Sequence, residues 1–253
     1  MKSFRADLHI HTGLSPCASD EMTPPAIVQA AVDRGLSMIA ICDHNSAGNV
    51  AATQAAGRGR LAVLAGIEIT TAEEVHVVGL FPDAQAVRPV SLRVRATLPD
   101  STAASRKFGE QRLLDSDGRV VGHERKMLSG ASSLGLSETV ALIKENGGLA
   151  VAAHVDRPSF SVLSQLGVFP TDAGFDAVEV FTAAGVVPKG SGKDKAAVKS
   201  RDNAWGLPVL ASSDSHFLTD ISRVWTVFRM CDTTFEEMTL ALRGVGGREV
   251  RCA

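Results

Sequence analysis

Residues 7–11 read Asp7-Leu8-His9-Ile10-His11, and the organisation of the chain can be followed outward from them. In an extended strand, side chains alternate between faces, so His9 and His11 project from one face with Asp7 beside them. Two neutral imidazoles on one face make a metal-binding pair, and burying them without a cation would need two hydrogen-bonding partners. Comparable corners recur in Ile41-Cys42-Asp43-His44, in Ala153-His154-Val155-Asp156-Arg157-Pro158 and in Ser212-Ser213-Asp214-Ser215-His216. Gly66-Ile67-Glu68 sets a carboxylate in apolar surroundings, and Glu74-Val75-His76-Val77 places a histidine inside an apolar strand. An isolated buried carboxylate is expensive unless it is neutralised, paired or bound to a cation.

The segments around these corners alternate between strand and helix patterns. Strands are expected at Phe4–Ile10, Met38–Cys42, Leu61–Ala65 running on to Glu68, Glu74–Phe81, Leu149–Ala153, Ala177–Phe181, Pro208–Ala211 and Val224–Phe228. Helices are expected from Thr23-Pro24-Pro25 to about Arg34, up to about Ala56, at Ala84–Leu98, at Ser137–Glu145 and at Thr234–Arg243. Thr23 reads as an N-cap, Gly35 and Gly147-Gly148 as stops. Between them, 101–133 is a polar, irregular excursion or flap, in which Leu113–Asp115 and Arg119–Val121 flank a Ser-Asp-Gly turn suited to a small hairpin. Repeated strand-helix units favour a parallel sheet, and about seven strands in one chain favour an α/β barrel over an open sheet. His9, His11, Asp43, His44, Glu68, His154, Glu179, Asp214 and His216 all fall at or just past carboxyl ends of expected strands, the face on which barrel active sites are built.

Composition narrows the function. With 253 residues, 45% hydrophobic and 21% charged, the chain is globular and long enough for a large core, so disorder and low complexity are excluded. Lys and Arg number 26 against 28 Asp and Glu, with no basic stripe to track a polynucleotide, so local positive charge would have to come from metal ions. Neither a signal peptide nor a run approaching the ~18 apolar residues of a membrane span is visible. Four cysteines without CxxC spacing (Cys17, Cys42, Cys231, Cys252) suit idle thiols in a reducing cytoplasm.

Taken in order, HxH, DH, GxE, a strand histidine, AHxDRP and SSDxH resemble the PHP (polymerase and histidinol phosphatase) family of metal-dependent phosphoesterases, from Asp7 to about Phe228. The resemblance implies a distorted (β/α)7 barrel, a single domain over 1–253 with the excursion as an inserted flap. It also implies three divalent ions, zinc, manganese or iron, at the carboxyl-end face. His9, His11, Glu68 and Asp214 would hold the first, with Glu68 bridging to a second completed by His76 and His154, and His44 and His216 would hold a third. The third position departs from the family pattern, which offers an Asp or His shortly after HxH. Here the segment is Pro16-Cys17-Ala18-Ser19-Asp20-Glu21. Asp20 is preferred, with Glu21 and Cys17 as alternatives, since a thiolate binds zinc well.

Charge counting agrees with this scheme. Six neutral histidines and about three carboxylates facing three divalent ions leave roughly +3, enough for an activated water and a phosphate dianion. Arg157 is the expected phosphate clamp because its planar fork matches phosphate, the other reading being an ion pair with Asp156. Asp43 and Asp7 are expected to orient imidazoles or to serve as turn residues. The implied activity is hydrolysis of a phosphate monoester or of a nucleotide or short nucleic-acid phosphate end, as in histidinol phosphatases, nucleotide bisphosphate phosphatases and polymerase-associated exonucleases. No membrane or obligate protein partner is indicated. The alternatives are an amidohydrolase-like C–N hydrolase, which should carry a strand-end lysine, and a non-catalytic, metal-stabilised binding module. His123, outside the strand-end pattern, reads as solvated. The lysine-rich loop 186–200, with Gly190–Lys193 lacking full P-loop spacing, reads as solvated or substrate-facing.

Overall fold

The computed structural model describes residues 1–101, 109–181 and 205–252; the loop 186–200 and the first part of the excursion, 102–108, lie outside the described residues. Strands β1 (Lys2–Ile10), β2 (Met38–Ile41) and β3 (Ala62–Thr70) pair in parallel, joined through helices α1 (Pro24–Asp33) and α2 (Val50–Gly57). β3 then turns directly into β4 (His76–Phe81), which runs antiparallel to it with Thr70 opposite His76. Helix α3 (Ala84–Thr97) leads to the hairpin β5 (Arg112–Leu114) and β6 (Val120–His123), and α4 (Leu136–Glu145) leads to β7 (Leu149–Ala152). β7 is antiparallel to β4, so β7, β8 (Ala177–Val180) and β9 (Val209–Ala211) resume the direction of β1, with the short helix α5 (Val162–Leu166) between β7 and β8. β10 (Thr226–Met230) pairs antiparallel with the other edge of β1, and after α6 (Phe235–Arg243), β11 (Glu249–Cys252) pairs antiparallel with β10.

Just past β9 the chain returns to β1. Ile10 and Ser215 bridge in parallel, His11 N–H donating to Ser215 O at 3.0 Å and Ser215 N–H to His9 O at 3.3 Å. The expected α/β barrel is thus observed as a mixed, nearly closed, barrel-shaped sheet. Its irregularity is the β3–β4 hairpin, where a strand follows a strand with no helix between them. Along β2, Ile39 and Ile41 pack into one hydrophobic cluster and Met38 and Ala40 into another, which is why the strand reads as an unbroken apolar run. At Gly66 in β3 a β-carbon would sit 2.4 Å from Cys42 Sγ and 2.8 Å from Ile41 O, so the β2–β3 approach requires glycine.

The helix stops behave as expected. Gly35, at φ 71°, lets its own N–H reach Val32 O and that of Leu36 reach Ala31 O, closing α1 in a Schellman arrangement. Thr23 occupies the N-cap of α1 but its hydroxyl makes no capping bond. An N-cap side chain accepts from the second or third helical N–H, and Pro25 has removed one of the two. β11 and α5 were not expected from the sequence: Val250 is the one buried residue of β11, and α5 spans five residues.

The hairpin of the excursion is present and fastened to the barrel. Arg112 N–H donates to Gly13 O at 2.9 Å, while Asn49 bonds both Arg112 O and Leu114 N–H. Leu113 packs with Leu14, Leu98 and Leu128. Among the described residues no helix is long and apolar enough to cross a membrane.

Candidate metal centre

The ends of six strands and the start of a seventh deliver one cluster. β1 supplies His9 and His11, the turn after β2 supplies Asp43 and His44, β3 supplies Glu68, and β8 supplies Glu179. His154 lies just past β7, and Asp214 and His216 just past β9. His76 is not a mid-strand residue but the first residue of β4, and because β4 runs in reverse, its start lies at the same rim as the other strands' ends. His154 and Asp214 have φ of 26° and 47°, backbone that costs non-glycine residues about 1–3 kcal/mol and that collects at functional sites.

Glu68 is the hub. Its Oε1 lies 2.7 Å from His76 Nδ1 and 3.1 Å from His154 Nε2, and its Oε2 lies 2.8 Å from His44 Nδ1, 3.4 Å from His11 Nε2 and 3.5 Å from His9 Nε2. His11 Nε2 is also 2.9 Å from Asp214 Oδ1. Three sets have mutually close ligand atoms: His9, His11, Glu68 and Asp214; His44, Glu68 and His76; and His11, His44 and His216. The implied first set is brought together intact, and His154 joins His76 at Glu68. The third set draws on His11 as well as on His44 and His216.

These side chains fit divalent cations. His9 Nδ1 faces Glu179 Oε1 at 2.9 Å, and His11 Nδ1 faces Ser15 Oγ at 2.8 Å, whose hydroxyl itself donates to Asp43 Oδ1 at 2.7 Å. Both rings therefore spend their N–H on the outer partner and turn the Nε2 lone pairs toward each other, 3.2 Å apart. Such lone pairs repel unless positive charge lies between them. Glu68 Oε2 is fully buried and its one short contact, His44 Nδ1 at 2.8 Å, lacks hydrogen-bond geometry, while His154 Nδ1 is unpaired. Protonating all five imidazoles around one carboxylate would bury several positive charges, whereas metal ions satisfy every lone pair at once.

The remaining expected residues divide clearly. Asp43 is buried and accepts from Thr12 N–H at 2.7 Å, Thr12 Oγ1 at 2.8 Å and Ser15 Oγ, so it acts on the cluster through Ser15. Asp7 accepts from Ser213 and Ser222 and touches no imidazole. Arg157 reaches the carboxylate of Asp214 and lies over Phe181, 4.4 Å from the ring centre, while Asp156 accepts from Phe181 N–H. Asp20 is 66% exposed and paired with Arg112 of the hairpin at 2.7 Å, and among the described residues no set of mutually close ligand atoms includes it. Cys17, from the same loop, is exposed, and among the described residues no set of mutually close ligand atoms includes it. His123 is exposed beside Glu110, as the sequence indicated. None of the described lysines stands at the carboxyl end of a strand: Lys2 opens β1, Lys126 pairs with Asp100 and Lys144 with Asp176. Glu179 carried no assigned role in the sequence reading; its position as the third of the four residues of β8, level with the other strand ends, was the available signal.

Burial alone would push the Glu68 carboxyl up, but His76, His9 and His44 outweigh it and hold it well below the usual range. Burial, reinforced by His216 and His44, keeps His11 well below an ordinary imidazole. Burial also works against protonated His9, yet Glu179, Glu68 and Asp214 raise it. Burial raises the Cys17 thiol, and its contacts with His216 and His44 overcome this, lowering it to about 6. Burial leaves Cys252 pushed up to about 12 and raises Cys42 further, so these two are inert thiols.

Residues 7–157 match the model of the PHP domain family, and residues 199–244 that of the PHP-associated family. The chain belongs to the PHP family. An uncharacterized protein of Methanocaldococcus jannaschii, MJ1587, is 28% identical over 191 residues, covering 71% of this PHP chain and 82% of that protein. Among solved structures, the lesion-specific endonuclease EndoQ of Pyrococcus furiosus superposes with TM-score 0.66 at 21% identity, over 98% of this chain. This chain spans 58% of the endonuclease's length. A protein of Bifidobacterium adolescentis assigned as a metal-dependent phosphoesterase gives TM-score 0.55 at 21% identity, over 83% of this chain and 87% of that one. At these identities the likeness is one of fold. Family membership together with the buried ligand cluster supports a metal-dependent hydrolase.

Proposed function

We propose that this PHP chain is a phosphoesterase that hydrolyses a phosphate monoester or the phosphate end of a nucleotide or short nucleic acid. The observation that carries the reading is Glu68, a buried carboxylate ringed by five imidazole nitrogens, with the Arg157 guanidinium beside Asp214 at the mouth. His9, His11, Glu68 and Asp214 would hold one divalent ion, Glu68, His76 and His154 a second, and His44 and His216 a third. When bound, such ions supply Lewis acidity and acidify water enough to react near neutral pH.

The chain's own groups supply the rest. Glu179 and Ser15, the latter held by Asp43, fix the His9 and His11 rings so that their Nε2 atoms face inward. Arg157 is 36% exposed and stacked on Phe181, so its fork can leave Asp214 for phosphoryl oxygens once Asp214 is engaged by a cation. His44, His76 and His216 are 13%, 10% and 19% exposed while His9 and Glu68 are fully buried, so substrate approaches from the former side.

A complex of endonuclease Q holds a 27-mer duplex with an abasic lesion, which motivates a nucleic-acid arm in the test. Metal-stripped protein reloaded with zinc, manganese or iron is assayed on nucleoside monophosphates, nucleoside 3',5'-bisphosphates, histidinol phosphate, short oligonucleotides and an abasic duplex, with Glu68→Gln as control. Chelator-sensitive turnover that is lost in Glu68→Gln is expected. Turnover unchanged in Glu68→Gln, or none from any substrate with metal bound, overturns the reading.

A further inference from the structure

The loop between β7 and α5 holds an aromatic ring at the mouth of the cluster. Phe160 has φ of 56°, and the other described non-glycine residues with positive φ are all polar. Left-handed backbone is strained for a bulky side chain, whereas glycine adopts it freely. The conformation is pinned: Phe160 O accepts from His76 N–H at 2.8 Å, and Ser161 Oγ, at the N-cap of α5, donates to Arg157 O at 2.8 Å. Burial does not offset the strain. Phe160 is 41% exposed, its ring stacked at 18° on the His76 imidazole with the ring centres 4.7 Å apart. His76 belongs to the more open side of the cluster, and Arg157, three residues before Phe160 on the same loop, reaches the carboxylate of Asp214. One short loop therefore brings to the mouth both a guanidinium suited to phosphoryl oxygens and a flat apolar ring.

We propose that Phe160 is the stacking platform for a nucleobase, so that the substrate of this site is a nucleotide, free or at the end of a short nucleic acid, and not an aliphatic phosphate ester. The proposal rests on the phosphoesterase reading above and narrows its substrate. A ring kept in water on strained backbone, with one face on an imidazole, leaves its other face to a second flat group. Every nucleobase has such a face, and stacking holds it whatever its hydrogen-bonding edge. Phe160 would thus set specificity through binding, apart from the reacting atoms.

The test uses metal-loaded protein and hydrolysis-resistant phosphonates, in which carbon replaces the bridging ester oxygen, of the 3' and 5' adenosine monophosphates and of ribose 5-phosphate. Calorimetry gives the dissociation constants, and the readout is the ratio of the ribose analogue's to that of the tighter adenosine isomer. Wild-type protein should favour the adenosine analogue by about tenfold, the order that stacking one base on an aromatic side chain supplies. Phe160→Leu keeps an apolar cover over His76 but has no flat face, so the ratio should fall to about one, while Phe160→Trp should keep or raise it. A ratio unchanged in Phe160→Leu, whether both analogues bind as before or weaken together, overturns the platform and leaves the phosphoesterase reading standing. Turnover of ribose 5-phosphate or histidinol phosphate with no binding of either adenosine isomer has the same consequence. Binding of no analogue together with turnover of no phosphate ester overturns both.

Discussion

Glu179 offers the sharpest test of how the cluster is built, because it touches two ligands through a single atom. Its Oε1 faces His9 Nδ1 at 2.9 Å and accepts from the backbone N–H of His154 at 3.2 Å. In Glu179→Gln the amide oxygen can occupy the Oε1 position and keep both contacts, losing only the negative charge that makes His9 a stronger donor. Groups behind a metal ligand are typically worth about 10–100-fold in affinity or activity, or about 1.4–2.7 kcal/mol. The glutamine variant is expected near the lower end and Glu179→Ala near the upper. The alanine variant also leaves His9 Nδ1 and the His154 N–H buried without partners, roughly 1–3 kcal/mol each and not additive, because they share one acceptor. Competition with a chromophoric chelator measures metal affinity, and kcat/KM measures the rest. Wild-type affinity and kcat/KM in Glu179→Ala would refute the orienting role.

Other outcomes follow from the same geometry. His11→Ala and Asp214→Ala should each abolish hydrolysis with the circular dichroism spectrum retained, and unchanged turnover would remove the residue from the mechanism. Metal at about 100 times its dissociation constant should add about 2.7 kcal/mol, raising Tm by about 5–10 °C over chelated protein; equal melting curves would mean that the native fold does not bind it. Asp20→Asn breaks an exposed ion pair worth about 0–1 kcal/mol and should leave metal content and turnover unchanged, whereas loss of an ion would reinstate Asp20 as a ligand. Gly66→Ala, whose β-carbon meets Cys42 Sγ at 2.4 Å, should cost about 1–3 kcal/mol in chemical denaturation, and a neutral result would show that β2 and β3 can part.

Most of the cluster was legible because its residues follow apolar strands, and the polarity of a chain that stays parallel brings strand ends to one rim. That logic identified His9, His11, Glu68, His154 and Asp214 without reference to distance. It had less purchase on His76, whose place at a strand's beginning depends on a reversal that alternation of residues does not announce. It gave no sign of the partner Asp20 takes, because Arg112 lies 92 residues away in a hairpin whose docking is set by Asn49 and Leu113. Glu179 was seen as a strand-end carboxylate, but only the three-dimensional approach of β8 to β1 shows which ring it holds. β11 escaped notice because a four-residue edge strand needs little apolar sequence when one side faces solvent.

The reversed strand has a further implication for how this fold tolerates change. At the other strands, the loop after the metal-binding residue can lengthen or shorten while the residue stays in register. At β4 the turn comes first, so a single insertion or deletion between Thr71 and Val75 would shift the strand by one position and swing His76 to the opposite face of the sheet. Among the loops of this rim, that turn has the least freedom to vary in length. Natural or engineered remodelling of the mouth can spread into the excursion and the loop before α1 but must leave this turn untouched.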